Sequence, residues 1–306
     1  MNNSLSVLRV LSYFDMFDYP LTRDEIGQLM DRRVSAHELD CILATLADSS
    51  LVMFHKNYYS LRNVIGLVKR REAGNERAAR LLPRAMRISR FLYQFPFVRG
   101  IGISGSLSKN YAEEGADLDY FIITKANRLW IARTLMHLFK KFTFLVGRQH
   151  DFCMNYYIDE EALSIQERNV FTAVEVATLI PVCGNGSMEN FFQANNWINS
   201  FHPNCVVDVE SRRNSKPTLL KKSFEQLINL FPVNSVDNFL MRITSRRWKK
   251  KEEKLKLNSS GRRMGLHTSK HFSKPNPDFF QKKIVEFYER KCKELREKME
   301  LDKKIV

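Results

Sequence analysis

The chain has 306 residues, of which 44% are hydrophobic and 27% are charged, and its formal net charge is +15. This size allows two domains or one large one, and the longest apolar runs are far shorter than the ~20 residues of a membrane-spanning helix. The five cysteines are widely separated and lack metal-ligand spacing, which excludes a structural zinc site and fits a reducing compartment.

The start of the chain carries Arg9, Asp15 and Asp18 within an amphipathic pattern. It lacks the basic start, apolar middle and small-residue cleavage site of a secretory signal. We therefore expect a cytoplasmic protein without a transmembrane segment. The charge is uneven along the chain: an acidic middle, residues 101–210, lies between two basic arms, 63–100 and 211–306.

Residues 1–62 are predicted to form three short helices followed by a β-hairpin, and this order resembles a winged-helix domain. Thr22 and Ser35 each stand three residues before a glutamate, which is the spacing of a capping box at a helix start. Two runs of β-formers then flank a polar turn at 55–57.

A winged helix can place its recognition helix in the major groove of DNA. Here residues 1–62 have a net charge of −2, and Glu38 and Asp40 lie in the presumed recognition helix. Because DNA affinity depends on Lys and Arg meeting phosphates, we favour a scaffold or protein-contact role.

Residues 63–97 are predicted to form a linker helix, with Pro83 as a kink or boundary. Four arginines spaced by three and four form one stripe on this helix: Arg77, Arg80, Arg84 and Arg87. Two interpretations of the stripe stay open, a solvated face and a surface that receives triphosphate or a polyanionic acceptor.

Residues 98–165 alternate strand, short helix, strand, long helix and strand, which is typical of an α/β fold. The second strand is predicted to begin at Asp117. Its period of two places Asp117 and Asp119 on one face and Leu118 on the other. Two adjacent carboxylates call for a cation, and a hard divalent ion with oxygen ligands is the usual solution, so we expect Mg²⁺, with Mn²⁺ as the alternative.

The first strand of this segment ends in a Gly-Ser pair. Glycine lets the backbone approach a ligand closely, and the serine hydroxyl and the amides of the following helix can receive phosphate oxygens. The candidate nucleotide-binding residues are Gly105, Ser106, Ser108 and Lys109. A metal and a polyphosphate would meet here, as phosphoryl transfer requires.

A hydrophobic strand, Gly105-Ser106, ten residues and then Asp117-Leu118-Asp119 resemble the signature of the DNA polymerase β-like nucleotidyltransferase superfamily. The resemblance implies that Ser106 contacts the phosphates of an NTP and that the two aspartates ligate magnesium. The chain departs from the family pattern at one place, where Ala116 replaces a serine that members often have.

The resemblance also implies a third carboxylate on a later strand, which helps the acceptor lose its proton. A strand at 150–158 would carry Asp151, Cys153, Asn155 and Tyr157 on one face. Asp151 is the only carboxylate of that set, so we predict it as the third catalytic residue. If Asn155 fills the position instead, the expectation becomes a slow enzyme, one with a different base, or a nucleotide binder.

Residues 166–306 are predicted to be mostly helical and basic. The predicted helices are 166–179, 188–199, 219–230, 236–255 and 277–301, the last opened by Asn276 and Pro277. The run Arg246–Lys251 lies on one of them. Such a run can contact a polyanion, nucleic acid or anionic lipid, although charge runs are more often solvated faces. His267 and His271 lack a zinc-protease arrangement and are interpreted as phosphate contacts or structure.

The sequence therefore predicts an α/β (α+β) protein with a polymerase-β-like nucleotidyltransferase core, a winged-helix-like N-terminus and a basic helical C-terminal region. The expected reaction transfers an NMP from an NTP to an acceptor hydroxyl and releases pyrophosphate. The acceptor, whether RNA, protein or small molecule, stays open. Two alternatives are a noncatalytic nucleotide-binding regulator on the same fold and a nucleic-acid-binding protein that acts through its basic arms.

Overall fold

The structure is a computed structural model that describes residues 2–62, 65–184, 186–207, 216–254, 266–275 and 280–305. The described residues form a mixed α/β fold with a three-stranded and a six-stranded sheet. The α/β class predicted from the sequence is therefore confirmed. No helix in the described segments is long and apolar enough to cross a membrane.

The N-terminal unit consists of three helices and the small sheet. The helices are α1 (Asn2–Asp15), α2 (Arg23–Leu29) and α3 (Ala36–Asp48). The strands, in the sheet order β1-β3-β2, are β1 (Leu21–Thr22), β3 (Tyr58–Ser60) and β2 (Met53–His55). Both predicted helix starts are confirmed, because the Thr22 and Ser35 hydroxyls accept hydrogen bonds from the amides of Glu25 and Glu38. The sequence did not predict β1.

Helix α4 (Ile65–Leu92) links this unit to the large sheet and continues through Pro83. Of the two alternatives predicted at Pro83, a kink or a boundary, the continuous helix excludes the boundary. A proline inside a helix costs about 3 kcal/mol. Here Ala78, on one side of the proline, and Ala85 and Leu92, on the other, are all buried in the same core, so packing holds both halves in one helix.

The large sheet has the strand order β7-β4-β5-β6-β9-β8. Its strands are β4 (Val98–Ile103), β5 (Asp119–Thr124), β6 (Cys153–Asp159), β7 (Ile180–Cys183), β8 (Leu266–Thr268) and β9 (Phe272–Pro275). Only β5 and β6 pair in parallel among the described strands, and helix α5 (Leu129–Phe144) connects them.

The C-terminal half contributes strands as well as helices. Its helices are α6 (Val170–Ala177), α7 (Ser187–Ala194), α8 (Leu219–Asn229), α9 (Val233–Glu253) and α10 (Phe280–Ile305). Each predicted helix is present with shifted ends, while the proposed cap Asn276-Pro277 lies outside the described residues. The predictions missed β7, β8 and β9, because runs of three or four residues carry too little periodicity to separate strand from helix.

Each face of the large sheet carries its own core. Tyr120, Ile122 and Tyr157 pack with α4 and α5 on one face. Phe121, Ile123 and Ile158 pack with α6 and α7 on the other. Successive residues of β5 therefore alternate between two dry layers, and the polar side chains that precede Phe121 on its face lie at the open end of that strand.

The N-terminal unit is fixed to the core through a buried arginine. Arg71 of α4 is 2% exposed, donates to the Pro20 carbonyl at 2.6 Å, pairs with Glu25 at 2.6 Å and stacks on the Tyr19 ring. The Tyr19 hydroxyl in turn donates to the Lys109 carbonyl. The N-terminal unit thus contacts the turn that follows β4.

Candidate functional site

The turn after β4 is built around Gly105, whose φ of +70° lies in the left-handed region. A Cβ at this position would lie 2.5 Å from Oδ2 of Asp119. The residue must therefore be glycine for two reasons, backbone conformation and space. The same distance shows that the Gly-Ser bend and the second aspartate lie directly against each other.

Asp117 and Asp119 approach a common neighbour on β6. The Cys153 thiol lies 3.9 Å from Oδ2 of Asp117, and its hydrogen bond lowers the pKa of Asp119. Leu118, between them, is buried on the opposite side. Strand β5 begins at Asp119 and not at Asp117 as predicted, yet both carboxylates lie on the side of Cys153 at the open end of the strand.

Each carboxylate is oriented by a neighbouring side chain. Asn155 donates from Nδ2 to Oδ1 of Asp119 at 2.7 Å, and Nδ1 of His150 lies 2.5 Å from Oδ1 of Asp117. One oxygen of each aspartate is thereby fixed. The Asp117, His150 and Asn155 side chains are exposed, whereas Asp119 is partly buried, so the site is open to a large ligand.

The surroundings of Asp119 shift its pKa. Burial raises the pKa of Asp119 to about 6, and the charges of Asp117 and Glu175 act in the same direction, whereas the charge of Lys140 lowers it. Within the described residues, no Lys or Arg nitrogen forms an ion pair with Asp119. Burial also raises the pKa of the Cys153 thiol to about 12, so this thiol is a protonated donor beside the carboxylates.

Asp151 lies in a different environment from the one predicted. It belongs to a single 3₁₀ turn before β6, is 7% exposed, and its Oδ2 accepts hydrogen bonds from Arg84 and, at 3.1 Å, from Arg148. The expected strand over 150–158 begins only at Cys153. The structure therefore does not bring Asp151 together with Asp117 and Asp119, because two arginines hold its carboxylate.

Strand β6 bulges at Asn155, the residue that lies beside Asp119. Tyr120 pairs with Met154 and Phe121 with Tyr156, which leaves Asn155 as an extra residue between the two pairs. The bulge also turns Tyr157 into the opposite core, contrary to the alternation predicted for this strand. Of the four residues assigned to one face, only Cys153 and Asn155 reach the site.

Of the four predicted nucleotide-binding residues, Ser108 and Lys109 hold the turn. The Ser108 hydroxyl donates to the Gly105 carbonyl at 2.8 Å, and Lys109 donates to the same carbonyl at 3.2 Å while pairing with Glu175 at 2.8 Å. The helix that follows is one 3₁₀ turn, Leu107–Lys109. Ser106 is exposed and presents its hydroxyl at the bend.

The donor set can be compared with what a divalent ion needs. The described residues contain no group of three or more His, Cys, Asp or Glu side chains arranged to hold a metal by themselves. Mg²⁺ usually retains several waters and binds through one or two carboxylates together with substrate phosphates. Two carboxylates beside a Gly-Ser bend fit that mode of binding, in which the nucleotide completes the coordination shell.

Other side chains predicted as phosphate contacts have structural partners. In the arginine stripe, Arg77 donates to the Ala112 carbonyl at 2.8 Å and Arg84 binds Asp151, while Arg80 and Arg87 are exposed. His271 pairs with the fully buried Asp159 at 3.0 Å. Its role is structural.

Sequence reasoning missed His150 and Glu175 as neighbours of the site. Glu175 lies on α6, far along the chain, and only the packing of α6 on the sheet brings it to Lys109. His150 precedes the start of β6 by three residues and lies beside Asp117 because its carbonyl accepts from the Leu118 amide. Neither position carries a motif that could have indicated it.

Comparison of the chain with protein-family models, with curated proteins and with solved structures finds no match.

Proposed function

We propose that the chain is a magnesium-dependent nucleotidyltransferase with a polymerase-β-like core. It would transfer an NMP from an NTP to an acceptor hydroxyl and release pyrophosphate. The observation that carries the proposal is the contact between Gly105 and Asp119. It places a glycine-serine bend that could receive phosphate oxygens next to a carboxylate. No Lys or Arg of the described residues forms an ion pair with this carboxylate. Manganese is the alternative ion.

Each residue of the site has a task in this reaction. Asp117 and Asp119 would hold the metal, with Asn155 and His150 keeping their carboxylates oriented. The Ser106 hydroxyl would donate to a phosphate oxygen. When bound, the metal neutralises phosphate charge and lowers the pKa of the acceptor hydroxyl.

The N-terminal unit consists of three helices and a small sheet. Its proposed class is winged-helix-like, and its proposed role is that of a scaffold. Its contacts with the core through Arg71 and Tyr19 support this role, because they fix the backbone of Lys109 next to the bend. The negative charge of its third helix argues against DNA as its ligand.

Calorimetry tests the binding step of the proposal. Wild-type protein should bind Mg²⁺ with a nucleoside triphosphate, and Asp119→Ala should bind it at least about tenfold more weakly. Glu114→Ala is the matched control, because it removes an exposed carboxylate from the same connection between β4 and β5. Equal affinity of all three proteins would refute the assignment.

Turnover is tested by pyrophosphate release with labelled NTPs and candidate acceptors: RNA, protein and small molecules. Label that appears on an acceptor with wild-type protein, and not with Asp117→Ala, would identify donor and acceptor together. The same assay with manganese in place of magnesium identifies the ion.

A second candidate function is a noncatalytic nucleotide-binding regulator on the same fold. The observation that favours it is Asn155, an amide where the family resemblance implies a carboxylate. In this case the protein would bind Mg-NTP, lose that binding with Asp119→Ala, and release no pyrophosphate with any acceptor. If the protein is a regulator of this kind, Asn155→Asp is the variant in which turnover is expected to emerge.

A further inference from the structure

Helix α8 carries its apolar face toward solvent. Leu220, Phe224 and Leu227 are spaced by four and three, so they lie on one side of the helix, and Phe231 continues that side beyond its end. Three further exposed side chains follow: Leu230, Val236 and Phe239. We call these seven residues the apolar surface. Leu220 is 67% exposed and Phe231 62% exposed, so neither serves the core.

The opposite side of α8 faces the protein through two charged residues, Lys221 and Glu225, and through Ile228, which packs against a small core. Lys221 donates from Nζ to the carbonyls of Tyr93 and Val98, at 2.6 Å each. Glu225 forms a two-point ion pair with Arg99, with both N–O distances 2.8 Å, and accepts from the Phe97 amide. These bonds fix the rotation of the helix.

This arrangement is the reverse of an ordinary surface helix, in which the apolar stripe faces the core. Apolar side chains exposed together on one side of a helix, as Leu220, Phe224 and Leu227 are, are typical of interaction sites. Because the anchors Lys221 and Glu225 are specific and well satisfied, the outward direction of the apolar surface is built into the fold.

The exposed charges of the segment that carries the apolar surface have one sign up to residue 250, and α9 then ends in the exposed Glu252 and Glu253. Between residues 216 and 250, all of which the structure describes, every exposed charged side chain is basic: Lys216, Lys222, Arg242, Arg246, Arg247, Lys249 and Lys250. The two acidic residues of this stretch, Glu225 and Asp237, point inward. On α9, Phe239 is followed at helical spacing by Arg242 and Arg246, so its apolar side continues as a basic stripe.

We propose that this surface binds the face of an anionic lipid bilayer. In-plane membrane helices combine Leu and Phe on one side with Lys and Arg at its borders, so that the apolar side enters the acyl boundary while the cations meet lipid phosphates. The α8–α9 segment has both elements, and α8 needs no rearrangement to present them. The inference is independent of the proposed nucleotidyl transfer.

Two other occupants fit the surface less well. A second copy related by two-fold symmetry would bring the two basic stripes together, because such an interface uses the same patch on both subunits. RNA would match the cations but not Leu220, Leu227 and Leu230, since binding of single strands uses aromatic stacking rather than aliphatic contact.

Vesicle sedimentation with the full chain tests the proposal. The protein should pellet with vesicles of phosphatidylcholine and phosphatidylserine, and much less with phosphatidylcholine alone. Phe224→Ala/Phe231→Ala should weaken binding at least about tenfold. Arg242→Gln/Arg246→Gln should weaken it roughly thirtyfold, and added salt should reduce wild-type binding.

Matched controls come from elsewhere on the surface. Phe54→Ala removes an aromatic ring from the small sheet, where Phe54 is 53% exposed, and Lys282→Gln/Lys293→Gln removes two exposed cations from α10. Both should bind vesicles as wild type does. Because the test positions are exposed, thermal unfolding should show all variants folded.

Three outcomes would overturn the proposal. One is equal or absent pelleting with the two kinds of vesicle. Another is a dimer in light scattering that Phe224→Ala/Phe231→Ala dissociates, without vesicle binding, which assigns the surface to a second copy. The third is salt-sensitive RNA binding that depends on Arg242 and Arg246 and not on the phenylalanines.

Discussion

Asp119 begins β5 and Asp151 lies just before β6, the strand that pairs with it, yet their carboxylates have opposite electrostatic environments. Asp151 is buried with two arginines, Arg84 and Arg148. Asp119 has another carboxylate, a thiol and an amide as neighbours, and burial raises its pKa to about 6. The difference separates a carboxylate that two arginines neutralise by ion pairs from one that has no ion pair with Lys or Arg among the described residues.

A carboxylate that lies near a motif in the sequence can already be paired with a cation in the folded protein, as Asp151 is. The acidic residue that the sequence offered as the third catalytic group already has its counter-charge. The position beside Asp119 is filled by Asn155, which donates a hydrogen bond and adds no charge. The environments of Asp119 and Asp151 can be distinguished by measurement.

The largest effect is expected from removing the carboxylate that lacks a built-in cation. Asp119→Ala should reduce nucleotide turnover by a factor on the order of 10² or more, because the transferring phosphate loses its metal clamp. This expectation rests on the proposed nucleotidyl transfer, and the measurement is pyrophosphate release at saturating magnesium. Unchanged turnover in Asp119→Ala, with Glu114→Ala alongside as control, would contradict the assignment of the site.

Removing the arginine-bound carboxylate should affect stability and leave nucleotide binding alone. Asp151→Ala leaves Arg84 and Arg148 without their shared partner, and since both arginines are partly exposed we expect a loss of about 2 kcal/mol. Urea unfolding measures the loss, and calorimetry with Mg-NTP the affinity. A weakened affinity with unchanged stability would place Asp151 in the site after all.

A third carboxylate, Asp237, sharpens the comparison through pH. It is 2% exposed, accepts the Ile131 amide at 2.9 Å, and burial raises its pKa from 3.8 to about 6. A folded pKa above the unfolded one contributes stability that is complete below about pH 4 and is lost as pH rises through 6. The contribution is about 2 kcal/mol.

Asp237→Asn should abolish this contribution. The free energy of unfolding of the variant, relative to wild type, should therefore rise by about 2 kcal/mol between pH 4 and pH 7. Denaturant titrations at several pH values measure it. A difference that is flat with pH would show that Asp237 is ionised at no cost in the fold.

The smallest stability effect is expected at the bend. Gly105→Ala puts a methyl group 2.5 Å from Asp119 Oδ2 at a φ of +70°, which should cost about 1 kcal/mol and displace the carboxylate. Gly115→Ala is the control, because it has the same φ and open space around it. Weaker Mg-NTP binding in Gly105→Ala alone would support the contact, whereas equal binding would argue that the bend does not position Asp119.

The local features of this protein were readable from its sequence. The caps at Thr22 and Ser35 satisfy amides within the same turn, and Asp117 and Asp119, two residues apart, lie on the same side of the chain although β5 begins only at Asp119. These relations span a few residues, so they survive whatever the rest of the chain does.

Tertiary structure decided the rest. The partners of Asp151, the bulge that places Tyr157 in the opposite core, and the strands β7 to β9 depend on residues distant in the chain. The rotation of α8 also depends on distant residues. The bonds of Glu225 with Arg99 and of Lys221 with the Tyr93 and Val98 carbonyls outweigh the preference of Leu and Phe for burial. A side chain's direction is set by its best available partner, and only the folded chain brings the candidates together.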